Sequence, residues 1–93
     1  MKLSIIGGGA WGTTLAQLLI DNGHQVIIYD INEENVNSIN HKKHPFFNTD
    51  LPEEVCATTN IEKAIEFSNH YILSVPTKVI RNVLKTLNQN IEK

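Results

Sequence analysis

Long apolar runs are missing from this sequence. The first, Leu3 to Ile6, is cut off by glycine, and none that follows approaches the ~20 residues of a membrane-spanning helix, so no membrane insertion is expected. That opening run is also too short for the apolar region of a signal peptide. Cysteine is nearly absent. The lone Cys56 has no partner for an intramolecular disulfide and no His or Cys at metal-ligand spacing, so a reducing cytoplasm is the expected compartment and no metal site is expected. Charge of one sign is lacking as well: 8 basic against 10 acidic residues leave a net charge of −2. Nucleic acid and anionic membranes are thereby disfavoured as partners, and any phosphate has to be held locally. No spacing assembles a Ser/His/Asp set or a carboxylate pair, so no catalytic residue is assigned. Repeats and low-complexity tracts are absent too. The 93 residues suit one domain, which would bury roughly 60 to 70% of the surface of its unfolded chain.

What is present is concentrated in Lys2 to Gly12, KLSIIGGGAWG, where an apolar β-forming run breaks into glycines and a helical pattern follows at once. Gly7, Gly9 and Gly12 have the spacing GxGxxG. Their mechanical roles differ. Gly7 turns a strand tightly into a helix, Gly9 lets a pyrophosphate approach the backbone, and Gly12 lets helix and strand pack closely. The free N–H groups and positive dipole end of the helix would then face the phosphates without help from a basic side chain.

The remaining pattern alternates strand and helix. Strands are expected at about 2–6, 25–30, 55–58 and 70–75. Helices are expected at about 10–21, with Leu15, Ala16, Leu18 and Leu19 inward and Asn22-Gly23 as a left-handed cap, from an Asn32 N-cap to Asn40, and from an Asn60 cap with Ile61, Ala64 and Ile65 on one face. A fourth helix, capped by Thr77, would carry Val79, Ile80, Val83, Leu84 and Leu87. The continuous run Val26 to Tyr29 suits a strand covered on both faces. Right-handed crossovers make this an α/β, Rossmann-type three-layer sandwich with a parallel sheet of order 3-2-1-4. The second half of such a fold would stop after one strand. Residues 1–93 thus read as the N-terminal part of a dinucleotide-binding domain whose continuation, a second domain included, is absent.

Asp30, eighteen residues after Gly12, stands at the end of the second strand, where an acid accepts from an adenine ribose 2′-OH and repels a 2′-phosphate; alternatively it is a turn residue. NAD is therefore expected over NADP. Trp11 either flanks the cofactor or packs over the sheet edge. Val75 and Pro76, beside the topological switch point, would line the nicotinamide side, unless Pro76 only ends its strand. The basic cluster His41 to His44 reads as a solvated loop in preference to a phosphate contact. Phe46 and Phe47 read as anchors of that loop before ligand-stacking rings, and His24 as exposed.

IIGGGAWGTTLA, the Asn-Gly-His turn at 22–24, Ile39-Asn40, Leu51-Pro52, Ala57-Thr58 and above all ILSVPTKVIRNVL together resemble the NAD(P)-dependent glycerol-3-phosphate dehydrogenases of bacteria, across essentially the whole chain. The resemblance implies the cofactor half of a cytoplasmic, usually dimeric enzyme that reduces dihydroxyacetone phosphate to sn-glycerol 3-phosphate for phospholipid synthesis. It implies cofactor contacts at Gly7, Gly9, Ala10, Trp11 and Gly12, with Ala10 where the family usually has Ser. Ile31 and Asn32 stand where the family often has a basic residue, a departure that favours NAD. Phe47 is the candidate for the family's Tyr beside the cofactor, although the surrounding Tyr-Leu-Pro pattern is not kept. The family's catalytic lysines have no counterpart here, since Lys78 and Lys85 do not match them. This chain alone is thus expected to bind nucleotide, to catalyse nothing and to self-associate. The alternatives are the front end of another two-domain dehydrogenase and a non-catalytic dinucleotide-binding module.

Overall fold

The computed structural model describes residues 1–7, 9–47 and 49–74. Four strands, β1 (Lys2–Ile6), β2 (Gln25–Tyr29), β3 (Cys56–Thr58) and β4 (Tyr71–Leu73), form one sheet of order β3-β2-β1-β4. All three pairings are parallel, with Lys2 opposite Gln25, Ser4 opposite Tyr71 and Ile27 opposite Cys56. The helices between them are α1 (Ala10–Asp21), α2 (Glu33–Asn40) and α3 (Ile61–Phe67). The fourth helix, with its Thr77 cap, and the end of the fourth strand at Val75 and Pro76 lie outside the described residues.

Alternation along β1 and β2 divides the core into two layers. Leu3, Ile5, Val26 and Ile28 share one layer with Ala16 of α1 and Ile39 of α2, while Ile6 and Ile27 share the other with Ala64 of α3. The run Val26 to Ile28 is buried because helices cover both faces of the sheet. On the α3 side the fully buried Ser4 donates its hydroxyl to the Ala64 carbonyl at 2.6 Å.

Local chemistry sets the helix ends. Gly23, at φ +89°, closes α1 in a Schellman arrangement: its N–H donates to the Ile20 carbonyl at 3.0 Å and the His24 N–H to that of Leu19 at 3.1 Å. Asn32 caps α2 by accepting from the N–H groups of Glu34 and Asn35, and Asn60 caps α3 by accepting from that of Glu62. Asn32→Ala is expected to cost about 1 kcal/mol, a fall in Tm of about 4–8 °C in a domain of this size, read by thermal unfolding.

Leu18 departs from its expected inward position and is 59% exposed. The face of α1 that meets the sheet is built from Gly12, Thr13 and Ala16, all buried. At ~100° per residue, Leu18 points roughly 160° away from the middle of that face. Small residues mark the line of closest approach to the strands, and Leu15 and Leu19, as expected, pack half-buried against the core on either side of it, together with Ile20.

Candidate functional site

The carboxyl ends of the strands lie level and are knit together by main-chain bonds. The Gly7 N–H donates to the Tyr29 carbonyl at 2.7 Å, the Asp30 N–H to that of Thr58 at 3.2 Å and the Ser74 N–H to that of Ile6 at 2.8 Å. The chain leaving the central strand β1 therefore turns between β2 and β4, the position at which sheets of this order open a ligand crevice.

Gly7 takes φ +111°, a backbone region that side chains rarely enter, and it releases the chain from β1 toward α1. A Cβ on Gly12 would fall 2.1 Å from the Gly7 carbonyl oxygen and 3.1 Å from Ser74 Oγ, so α1 can pass this close only with glycine there. Gly9 is the reverse case. A Cβ built on it meets nothing within 4 Å, so the fold makes no demand for its small size.

Gly9 is the N-cap of α1, and no side chain caps that end, nor does an acid stand in the first turn. By contrast, α2 and α3 are each capped by asparagine and carry glutamate in the first turn. First-turn amides of α1 have no acceptor within the helix, and its dipole is uncompensated, an arrangement suited to an anion. No basic side chain is required.

Asp30 sits one residue beyond the strand that Gly7 bonds to. Its Oδ1 accepts from the Asn32 N–H at 3.0 Å and its Oδ2 from Asn35 Nδ2 at 3.1 Å. The carboxylate thus belongs to a turn, as its alternative reading held, and is fixed in place by it. Each oxygen keeps a lone pair for a further donor.

The loop 41–55 corrects two expectations, and the turn before β2 a third. His44 is not solvated but 6% exposed, with Nε2 3.2 Å from Thr14 Oγ1 and Nδ1 accepting from the N–H groups of Phe46 and Phe47 at 3.1 and 3.2 Å. Burial lowers its pKa, against a smaller opposing effect of its hydrogen bond to the Ala10 carbonyl. Phe46 and Phe47 do not anchor the loop by burial, since each is 54% exposed. Their support is His44, whose ring lies 4.7 Å from that of Phe47. Lys42, at φ +65°, ends α2 and sends its Nζ to the Val55 carbonyl at 2.5 Å, and Lys43 pairs with Asp50. His24 is half-buried instead of exposed, with no hydrogen-bond partner for its Nδ1 among the described residues.

The structure therefore brings Gly7, Gly9, Ala10, Trp11 and Gly12 together by continuity. It adds Asp30 through the Gly7 to Tyr29 bond and Phe47 through His44; Trp11 is 71% exposed on the first turn of α1. Val75 and Pro76 lie outside the described residues. Sequence reasoning missed His44 and Ser74. His44 was hidden in a basic run, and its proline and twin phenylalanines were the one sign that this stretch packs.

Among the described residues no three His, Cys, Asp or Glu side chains are grouped to hold a metal, and no helix is long and apolar enough to cross a membrane. Burial pushes the Cys56 thiol up, away from the thiolate form, with Lys42 opposing more weakly. A concavity of about 400 Å³ bounded by Asp21, His24, Gln25 and Glu54 lies at the opposite, amino-terminal end of β2. The twelve residues of α1, about 18 Å of helix, separate it from the glycine turn.

Comparison with known proteins agrees with this geometry. A family described as NAD-dependent glycerol-3-phosphate dehydrogenase N-terminus matches residues 2–93. The glycerol-3-phosphate dehydrogenase [NAD(P)+] of Phytoplasma mali is 52% identical over 93 residues, all of this chain and 28% of that protein. That of Acholeplasma laidlawii is 47% identical over 89 residues, 96% of this chain and 27% of that protein. The chain thus spans just over a quarter of the length of these curated relatives. A crystal structure of glycerol-3-phosphate dehydrogenase from Coxiella burnetii superposes with a TM-score of 0.85 at 22% identity, over 95% of this chain and 28% of that one, and bears out the fold.

Proposed function

Because the chain belongs to the N-terminal domain family of the NAD-dependent glycerol-3-phosphate dehydrogenases, whose members use a nicotinamide dinucleotide, we propose that it is the cofactor-binding part of an enzyme that reduces dihydroxyacetone phosphate to sn-glycerol 3-phosphate. The observation that carries the reading is the open space over Gly9 at the uncapped start of α1. A pyrophosphate suits that place: the space over Gly9 is open, beside first-turn N–H groups that have no acceptor within the helix.

The nicotinamide, when bound, supplies the hydride. The chain's own residues bind and orient it. Gly9, Ala10, Trp11 and Gly12 present backbone to the two phosphates, with Gly7 shaping the turn. Trp11 and Phe47, both exposed, flank the cofactor. Val75 and Pro76 line its nicotinamide side, a placement supported by their sequence position after β4. Asp30 accepts from the adenine ribose 2′-OH, its orientation already fixed by Asn32 and Asn35. Its negative charge repels a 2′-phosphate, so NAD is the preferred cofactor over NADP. Asp30→Ala is expected to weaken NADH binding about tenfold, the worth of one hydrogen bond to a charged group, and to change NADPH binding by less than about threefold. Side-by-side titrations check this, and equal losses for both nucleotides contradict it.

Residues 1–93 form one dinucleotide-binding unit that turns over no dihydroxyacetone phosphate alone, because none of them matches the family's catalytic lysines. Measurable turnover by the chain contradicts this. The resemblance to the bacterial enzymes supports reading the complete protein as a cytoplasmic homodimer that serves phospholipid synthesis. Light scattering on the chain at high concentration tests association, and a clean monomer counts against it.

A further inference from the structure

We propose that His44 is a positioning residue, a neutral imidazole bolt whose two ring nitrogens fasten the Phe46-Phe47 turn to the first turn of α1 and so make the nucleotide site sensitive to pH. The proposal rests on the dinucleotide reading for its effect on affinity, but the bolt itself is a property of the fold. Its geometry leaves one protonation state. A backbone N–H can only donate, so Nδ1, facing the N–H groups of Phe46 and Phe47 at 3.1 and 3.2 Å, must be a bare acceptor. Nε2 then carries the single proton and has acceptors for it in Thr14 Oγ1, at 3.2 Å, and the Ala10 carbonyl. A second proton on Nδ1 would set three N–H groups against one another.

Little else competes for this ring. The α1 sequence from Ala10 to Ile20 carries no charged residue, so the helix turn against His44 offers no titratable partner. On its own loop the charged residues are Lys42, occupied with the Val55 carbonyl, Lys43 and Asp50, paired with each other, and Glu53 and Glu54 at its far end, while the titratable His41 is bonded to the Asn37 carbonyl. Main-chain bonds from His44 N–H to the Thr49 carbonyl and from Leu51 N–H to that of Lys42 close the loop around it. The phenylalanines contribute exposed faces and not burial, so the ring is what ties their backbone to the helix that starts at the glycine turn.

The direction of the pH effect follows. Burial lowers the His44 pKa, so proton uptake favours any state in which the ring is released. The bolt is fully engaged above the ordinary imidazole value of about 6.5 and is lost as pH falls through the lowered one.

Two measurements on the 93-residue chain test this. Nitrogen NMR of the His44 ring at neutral pH should report the Nε2–H tautomer; an Nδ1–H tautomer or a charged ring overturns the bolt. NADH titration followed by Trp11 emission should lose about tenfold in affinity between about pH 7.5 and pH 5 in the parent chain. In His44→Asn, whose Oδ1 can accept from the same two amides and does not titrate, affinity should be independent of pH and fall between those of the parent and His44→Ala. A parent profile as flat as that of His44→Asn overturns the coupling. If NADH binds at no pH, the dinucleotide reading fails instead, and the ring tautomer still decides the bolt.

Discussion

Gly12→Ala should lower the Tm of the chain by more than about 10 °C, a loss of about 3 kcal/mol, through overpacking that no rotamer can relieve. The obstacle is main chain: the added methyl would lie 2.1 Å from the Gly7 carbonyl oxygen, and that residue is itself held by its N–H bond to Tyr29 and by a φ of +111°. Relief requires α1 to withdraw from β1 and β4. Withdrawal opens the layer in which Ala16 packs against Leu3, Ile5 and Ile28. The loss is a large share of the about 5–15 kcal/mol of total stability of such a chain, and the displaced first turn of α1 should weaken nucleotide binding as well. Thermal unfolding with and without NADH measures both, and a Tm within about 2 °C of the parent's contradicts the close approach.

Gly9→Ala should do the opposite. Alanine is compatible with φ −64° and ψ −171°, and its methyl meets no atom within 4 Å, so the Tm should stay within about 2 °C of the parent's. NADH affinity should nevertheless fall at least about thirtyfold, near 2 kcal/mol, because the methyl takes the space a pyrophosphate needs against the first turn of α1. The pair of variants separates two roles that one motif combines. One glycine serves the fold and the other leaves room for a ligand. Parent-like NADH binding by Gly9→Ala would remove the ligand from the glycine turn.

The frame of the fold was legible because its signals are local. The run Leu3 to Ile6, the turn at Asn22-Gly23, the caps at Asn32 and Asn60 and the apolar run at Val26 to Ile28 each specify an element within a few residues. Parallel order and crossover hand then follow from sterics. Two features were not legible. Leu18 looked inward by hydrophobicity, but the face centred on Gly12, Thr13 and Ala16 takes Leu15 and Leu19 at its flanks and leaves Leu18 on the far side. His44 looked solvated because its burial comes from Ala10 and Thr14, thirty or more residues away in sequence and visible only once the loop has closed. Within the candidate site, the glycine spacing and Asp30 were readable as a pattern. That the Asp30 carboxylate is held by Asn32 and Asn35, and that Ser74 lies 3.1 Å from where a Gly12 Cβ would be, required the fold.

The most direct test of the central claim is a nitrogen-proton correlation spectrum of the chain titrated with NADH. Dinucleotide held by the glycine turn predicts that the largest shifts fall on the amides of Gly9, Ala10, Trp11 and Gly12, with Asp30 following at the ribose end. Shifts confined to the concavity around His24 and Glu54, or spread evenly without saturation, would contradict it.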